Sequence, residues 1–226
     1  MNESRTTNLA QCAYESIKER LAELDLMPGD RLSEQELAAQ LQISRTPIRQ
    51  ALQRLHHEGL LDLVPRIGWA VPQLDFDRID HLYDFRILIE QYAIQWICGQ
   101  PETAAELVRL KTQWGSSKAH RPTDPKQLWQ LDEHFHQSLV ALTGNQAMIK
   151  AHQSITEHIR LIRRFDFTDP DRVNATFDEH LDILTLLLDA NALRAQARLQ
   201  EHIEFSKRQC REITLEALYQ RRHQSA

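Results

Sequence analysis

The chain is poor in the residues that break helices: six glycines and eight prolines in 226 residues. With so few breakers and an apolar spacing that is mostly helical, it reads as largely α. Cysteine is scarcer still. Cys12, Cys98 and Cys210 are far apart, odd in number and form no C-x-x-C pair. That pattern excludes a disulfide framework and a cysteine-based zinc site, and it suits reduced thiols in a cytosol. No apolar run approaches the roughly 20 residues needed to cross a bilayer. The opening "MNESRTTNLAQ" lacks the basic start and apolar core of a secretory signal. A cytoplasmic protein without a membrane partner is the expectation. Excess positive charge is also missing: the net charge is −5, so any contact with nucleic acid must be confined to a local patch. What is present, 42% apolar and 26% charged residues, is an ordinary globular composition for one large domain or two modest ones.

Texture divides the chain near residue 74. Residues 1–74 carry short elements broken by turn signals, and residues 75–226 carry long helical patterns. The first region predicts a helix at 9–24, a turn at Pro28-Gly29, and a helix capped by Ser33 with Glu36 at capping-box spacing. A third helix follows, opening at Ser44 with Pro47 in its first turn and with Ile48, Ala51, Leu52 and Leu55 facing inward. Two short strands around Pro65–Gly68 complete it. The second region predicts six helices, at about 77–98, 102–117, 125–143, 146–165, 171–188 and 191–216. Two open on the same tripeptide, Thr123-Asp124-Pro125 and Thr168-Asp169-Pro170, with Asp at N-cap and Pro at N1. An all-α bundle is the natural packing, and the tail "QRRHQSA" is expected to fray.

Two helices joined by a short turn, the second with arginines on its outer face, is helix-turn-helix chemistry. Arg45 and Arg49 share one face of the third helix, opposite Ile48, Leu52 and Leu55. A guanidinium fork can hold guanine O6 and N7 together. Ser44 and Thr46 stand at the helix N-terminus, where hydroxyls and backbone N–H groups bind phosphate. From Arg45 to Arg66 there are four arginines against Glu58 and Asp62, a basic stretch inside an acidic chain. The plain alternative is a solvated helix face, but the capped helix before it and the hairpin after it favour DNA. The segment "MPGDRLSEQELAAQLQISRTPIRQALQRLHHEGLLDLVPRIGWAV" resembles the winged helix-turn-helix of GntR-family bacterial transcription regulators. The resemblance implies that Arg31, Ser44, Arg45, Thr46 and Arg49 contact operator DNA and that Gly68 lets the wing approach the minor groove. Gln50, where an acid is usual, and Trp69, where a small residue is common, depart from the pattern. Trp69 is read as a packing residue.

A second constellation lies in the bundle. In "LDEHFHQSL", Leu131, Phe135 and Leu139 mark a buried stripe, and Asp132 and His136 sit beside it four residues apart. His180, between Phe177 and Leu184, and His202, beside Ile203 and Phe205, also look inward. A lone inward histidine is ordinarily a hydrogen-bonded core residue. Three with a carboxylate require mutual satisfaction, and a divalent metal supplies it. Glu133, His134 and the other histidines read as solvent-facing or without a clear partner, and Arg160 and Arg163 face an adjacent helix. Arg86 in "DFRILIE" has two readings, an effector carboxylate in the same cavity or a salt bridge to Glu90 four residues on.

Residues 77–226 resemble the FCD effector domain of the FadR branch of GntR regulators, and six helices resemble its VanR-like subgroup. The resemblance implies that Asp132, His136, His180 and His202 hold zinc, nickel or a similar ion, and ligation by one aspartate and three histidines also suits manganese or iron. It implies open coordination positions for a small carboxylate effector, a homodimer on a pseudo-palindromic operator, and repression as the usual sense. The rival class, an all-α metal-dependent hydrolase, lacks its residues: there is no His-Asp dipeptide, no second E-x-x-H helix and no G-x-S-x-G.

Overall fold

The computed structural model describes the backbone of residues 2–23, 25–163, 167 and 169–224, and the side chains of 8–23, 25–160, 163, 167, 169–209 and 211. The side chain of Cys210 and the whole of Thr168 lie outside that set; Cys12 and Cys98 are free thiols. The chain separates into two compact units, Met1–Asp75 and Phe76–Ala226.

The first unit runs α1 (Asn2–Ala22), β1 (Arg31–Leu32), α2 (Glu34–Leu41), α3 (Arg45–His57), β2 (Asp62–Val64) and β3 (Gly68–Ala70). Ser33 caps α2 by accepting from Glu36 N at 3.3 Å. Helix α2 stops where Gln42 takes a left-handed conformation at φ 56°. Ile48, Ala51, Leu52 and Leu55 of α3 are buried against Ala13 and Ile17 of α1, the face that their spacing predicts. The antiparallel sheet has the order β1-β3-β2, with Leu32 opposite Trp69 and Leu63 opposite Trp69 on the other side. Strand β1 is an addition to the expected hairpin. Two residues are too few to show alternation, and the strand exists because the turn around Pro28-Gly29 lays the chain against β3. Gly68 has φ +94° with open space where a Cβ would stand, so the backbone conformation and not crowding requires glycine.

The second unit contains α4 (Phe76–Ile97), α5 (Ala104–Trp114), α6 (Pro125–Ala141), α7 (Gln146–Arg163), α8 (Pro170–Leu188) and α9 (Ala192–Gln224). Asp124 caps α6 by accepting from Lys126 N at 3.1 Å, and Asp169 caps α8 by accepting from Asp171 N at 2.9 Å. Both helices carry proline in the first turn, as the repeated tripeptide predicts. Helix α9 runs past the expected end at 216 and takes in most of the tail. The expected extension of α7 to 165 falls outside the described residues.

Helix α4 packs on α6, α7 and α9, while α5 and α9 both pack on α8 and α6 lies along α7. The interior of the unit is filled by Tyr83, Ile94, Leu110, Trp114, Phe135, Phe177, Leu184 and Leu199. Covering an apolar side chain such as Phe135 or Phe177 contributes roughly 1.5–3 kcal/mol. This mostly apolar frame is where a group of polar side chains is held.

Candidate metal centre and nucleic-acid interface

Helix α6 carries Asp132 and His136, α8 carries His180, and α9 carries His202; all four are buried, none more than 3% exposed. One potential ligand atom from each lies within 4.8 Å of the others. His180 Nε2 stands 3.2 Å from His202 Nε2 and 3.5 Å from Asp132 Oδ1, and His136 Nε2 stands 3.7 Å from the same oxygen. Aromatic packing fixes the rings: Phe135 stacks flat on His180 at 3.8 Å and Trp114 meets it edge-on at 4.2 Å. The i,i+4 pair on α6 and the two later histidines are thus brought to one point.

A second layer of side chains decides which ring nitrogens face that point. His136 Nδ1 lies 2.6 Å from Glu90 Oε2, and His202 Nδ1 lies 2.6 Å from Glu179 Oε2. Each carboxylate is itself held by an arginine: Arg86 Nε is 2.6 Å from Glu90 Oε1, and Arg172 Nη1 is 3.0 Å from Glu179 Oε2. Burial would raise both carboxyls. The facing His136 and Arg86 reverse this at Glu90 and hold it well below the usual range, and His202 and Arg172 hold Glu179 at about 2. The imidazoles go down as well. Burial, outweighing Glu90, lowers His136; burial lowers His180 far below the usual histidine range, with His202 and His136 adding to it; burial takes His202 to about 3 against the pull of Glu179. A neutral ring that donates Nδ1–H to a carboxylate turns a lone pair outward at Nε2. His136 Nε2, His202 Nε2 and Asp132 Oδ1 are therefore three acceptors aimed at one place.

That arrangement could hold a divalent cation. Of the ring nitrogens facing that point, His136 Nε2 is buried without a hydrogen-bond partner among the described residues. Ligand atoms about 2.1 Å from a tetrahedral zinc ion stand ~3.4 Å apart, and the separations above bracket that value. Three imidazoles and one carboxylate suit zinc, nickel, manganese or iron. Asp132 Oδ2 is engaged by Arg163 Nη2, which leaves Oδ1 as the oxygen facing the histidines.

In the first unit the arginines of α3 are exposed, as their phase predicts, with 61% of the Arg45 side chain and 57% of the Arg49 side chain accessible. Arg31, Arg45, Arg49, Gly68 and Trp69 line one open cleft of about 830 Å³. Ser44 and Thr46 are exposed at the start of α3 but do not line that cleft. Ser44 takes the N-cap position without a side-chain capping bond. Its hydroxyl is not spent on its own helix.

Residues 9–71 match the family described as bacterial regulatory proteins, gntR family, and residues 81–205, more than half of the chain, match the FCD domain. The chain belongs to the GntR family of bacterial transcription regulators, in its FCD-containing branch. It is 34% identical over 177 residues to the Nta operon transcriptional regulator of Aminobacter aminovorans, covering 78% of this chain and 82% of that one. Its fold resembles the solved E. coli McbR/YncC, with a TM-score of 0.70 at 21% identity over 94% of this chain and 98% of the other. It also resembles a solved structure described as the metal-free FCD domain of TM0439, with a TM-score of 0.50 at 19% identity over 61% of this chain and 94% of that one.

Several side chains of this GntR regulator differ from the expectation. Glu133 does not face water: it is 7% exposed, and Arg160 forks onto it at 2.8 and 2.9 Å, because α7 covers that side of α6. Phe205 turns outward at 36% exposure, three residues round the helix from His202. His152, without an evident partner in sequence, meets Glu90 Oε1 at 2.9 Å, and Arg163 reaches Asp132. Arg86 makes the salt bridge to Glu90, the second of its two readings, while its buried Nη2 has no partner among the described residues. Glu90, Glu179, His152 and Arg172 are the members of the centre that sequence reasoning missed. Only Glu90 carried a signal, its i,i+4 spacing to Arg86.

Proposed function

We propose that this GntR regulator is a repressor that acts as a homodimer, holds a divalent metal ion on Asp132, His136, His180 and His202, and releases operator DNA when a small carboxylate enters beside that ion. The observation that carries this reading is the convergence of His136 Nε2, His202 Nε2 and Asp132 Oδ1, with both Nδ1 atoms committed to Glu90 and Glu179. Buried acceptors that face one another repel, and a cation relieves that. When bound, the ion would supply a Lewis-acidic seat for a carboxylate oxygen.

The chain's own residues would do the rest. Glu90 and Glu179 hold the ring orientation, Arg163 holds Asp132 to one oxygen, and Arg86 offers a buried N–H to an incoming anion. An effector that binds one arrangement of the bundle better than another shifts the population of DNA-competent dimers by that difference. On the DNA side, Arg45 and Arg49 read bases while Ser44 and Thr46 meet phosphate, and Arg31 and Gly68 lie at the wing edge of the same cleft. For the dimer, α4 presents Phe85, Leu88 and Tyr92 at i, i+3 and i+7, exposed at 49%, 64% and 54%. Large apolar side chains in one exposed stripe mark an association surface.

The test is mobility of a duplex carrying the region upstream of the gene, with zinc-loaded protein. The reading expects retardation, its loss on Arg45→Ala with Arg49→Ala, and its relief by some member of a panel of mono-, di- and tricarboxylic acids. Absence of specific retardation with any fragment flanking the gene would refute it.

A further inference from the structure

The recognition helix has no acid in its first turn. The carboxylate that meets its arginines comes from α2. Glu34 accepts from Arg49 Nε at 2.9 Å and from Arg49 Nη2 at 2.8 Å, a forked pair. It also accepts from Arg45 Nη2 at 3.2 Å and from Trp69 Nε1 on β3 at 3.3 Å. One side chain thus joins α2, α3 and the wing, and at 14% exposure it is far more enclosed than either arginine. Its carboxyl is held at about 2 by the Arg49 hydrogen bonds, so it is an anion under all ordinary conditions.

A guanidinium has two forked edges, one made by Nε and Nη2 and one made by Nη1 and Nη2. Glu34 occupies the first edge of Arg49. The second edge is the one that can grip O6 and N7 of a guanine in the major groove. We propose that Glu34 is a positioning residue for base readout: it fixes Arg49 by one edge so that the other meets a guanine, and its charge weakens binding to every other sequence. The proposal rests on the reading of α3 as the recognition helix. Two physical effects act in the same direction. A tethered arginine loses less side-chain freedom on docking than one moving freely on an exposed helix face. An anion beside the phosphate backbone opposes the sequence-independent part of the affinity.

The experiment uses the full chain. Duplexes selected from a random pool by wild type and by Glu34→Gln are sequenced. Affinities for the wild-type consensus and for a scrambled duplex are then measured across a series of KCl concentrations. The expected result is a fall of about 5- to 100-fold in the consensus-to-scrambled ratio, concentrated at one base pair per half-site. Scrambled DNA binds more tightly to the variant, with a salt slope steeper by about one. In an Arg49→Lys background, where no fork exists, Glu34→Gln adds no further loss at that base pair. Should the glutamine variant not fold, Glu34→Asp shortens the reach but keeps the charge, and the ratio falls without tighter binding to scrambled DNA. The same motif selected at an unchanged or higher ratio would make Glu34 a blocking acid or a plain structural contact and overturn the proposal. Wild type that selects no motif at all would overturn the recognition-helix reading beneath it.

Discussion

Replacing Glu179 by glutamine removes the carboxylate that sets the tautomer of His202. Glu179 Oε2 accepts a hydrogen bond from His202 Nδ1 at 2.6 Å and is backed by Arg172 Nη1 at 3.0 Å. Glutamine has the same shape but no charge, and its amide can present N–H instead of oxygen. In that orientation the ring proton moves to Nε2 and the lone pair leaves the centre. Losing such a supporting carboxylate costs about 10- to 100-fold in metal affinity, about 1.4–2.7 kcal/mol. The fold should survive, because Arg172 also lies over the Phe205 ring at 4.7 Å and Glu179 is not fully enclosed. Zinc affinity is read by competition with a chelating dye, with a thermal melt of the metal-free forms as control. Zinc affinity within twofold of wild type, in a variant that melts normally, would refute the assignment of ring nitrogens.

Arg86→Ala leaves the fully enclosed Glu90 carboxylate without its arginine partner, at a cost of about 3–5 kcal/mol in urea unfolding; a change under 1 kcal/mol would mean that the pair is hydrated. Glu34 gives a pH signature. Its folded pKa of about 2 lies below the ordinary 4.5, so its contribution to stability is present above about 4.5 and disappears as pH falls toward 2. Melting temperatures of wild type and Glu34→Gln should converge over that window, and a constant gap would contradict it. Leu88→Glu in the exposed α4 stripe should shift sedimentation from dimer to monomer, whereas an unaltered dimer would place the interface elsewhere.

Much of the fold is written in local signals. The inward set of α3 follows from 3.6-residue periodicity, and the starts of α6 and α8 follow from Asp-Pro, because capping is settled by neighbours in the chain. The meeting of Asp132, His136, His180 and His202 was legible for the same reason: each residue lies on or beside the apolar stripe of its own helix. What lay beyond reach is set by packing between helices. Glu133 sits next to Asp132 and reads as solvent-facing until α7 brings Arg160 to it. Glu90 and His152 are 62 residues apart and meet only because α4 and α7 pack together. Glu34 resembles any acidic residue in a first helical turn, and its tie to Arg45, Arg49 and Trp69 depends on the angle between α2 and α3 and on the return of β3.

The most direct test is zinc bound per folded chain. The protein is stripped with a chelator, refolded with excess zinc, dialysed and analysed for metal, alongside Asp132→Ala and His180→Ala. The account predicts a single tightly held ion per wild-type chain and its loss in both variants. A wild-type chain that refolds fully and retains no zinc, or variants that retain as much as wild type, would contradict it.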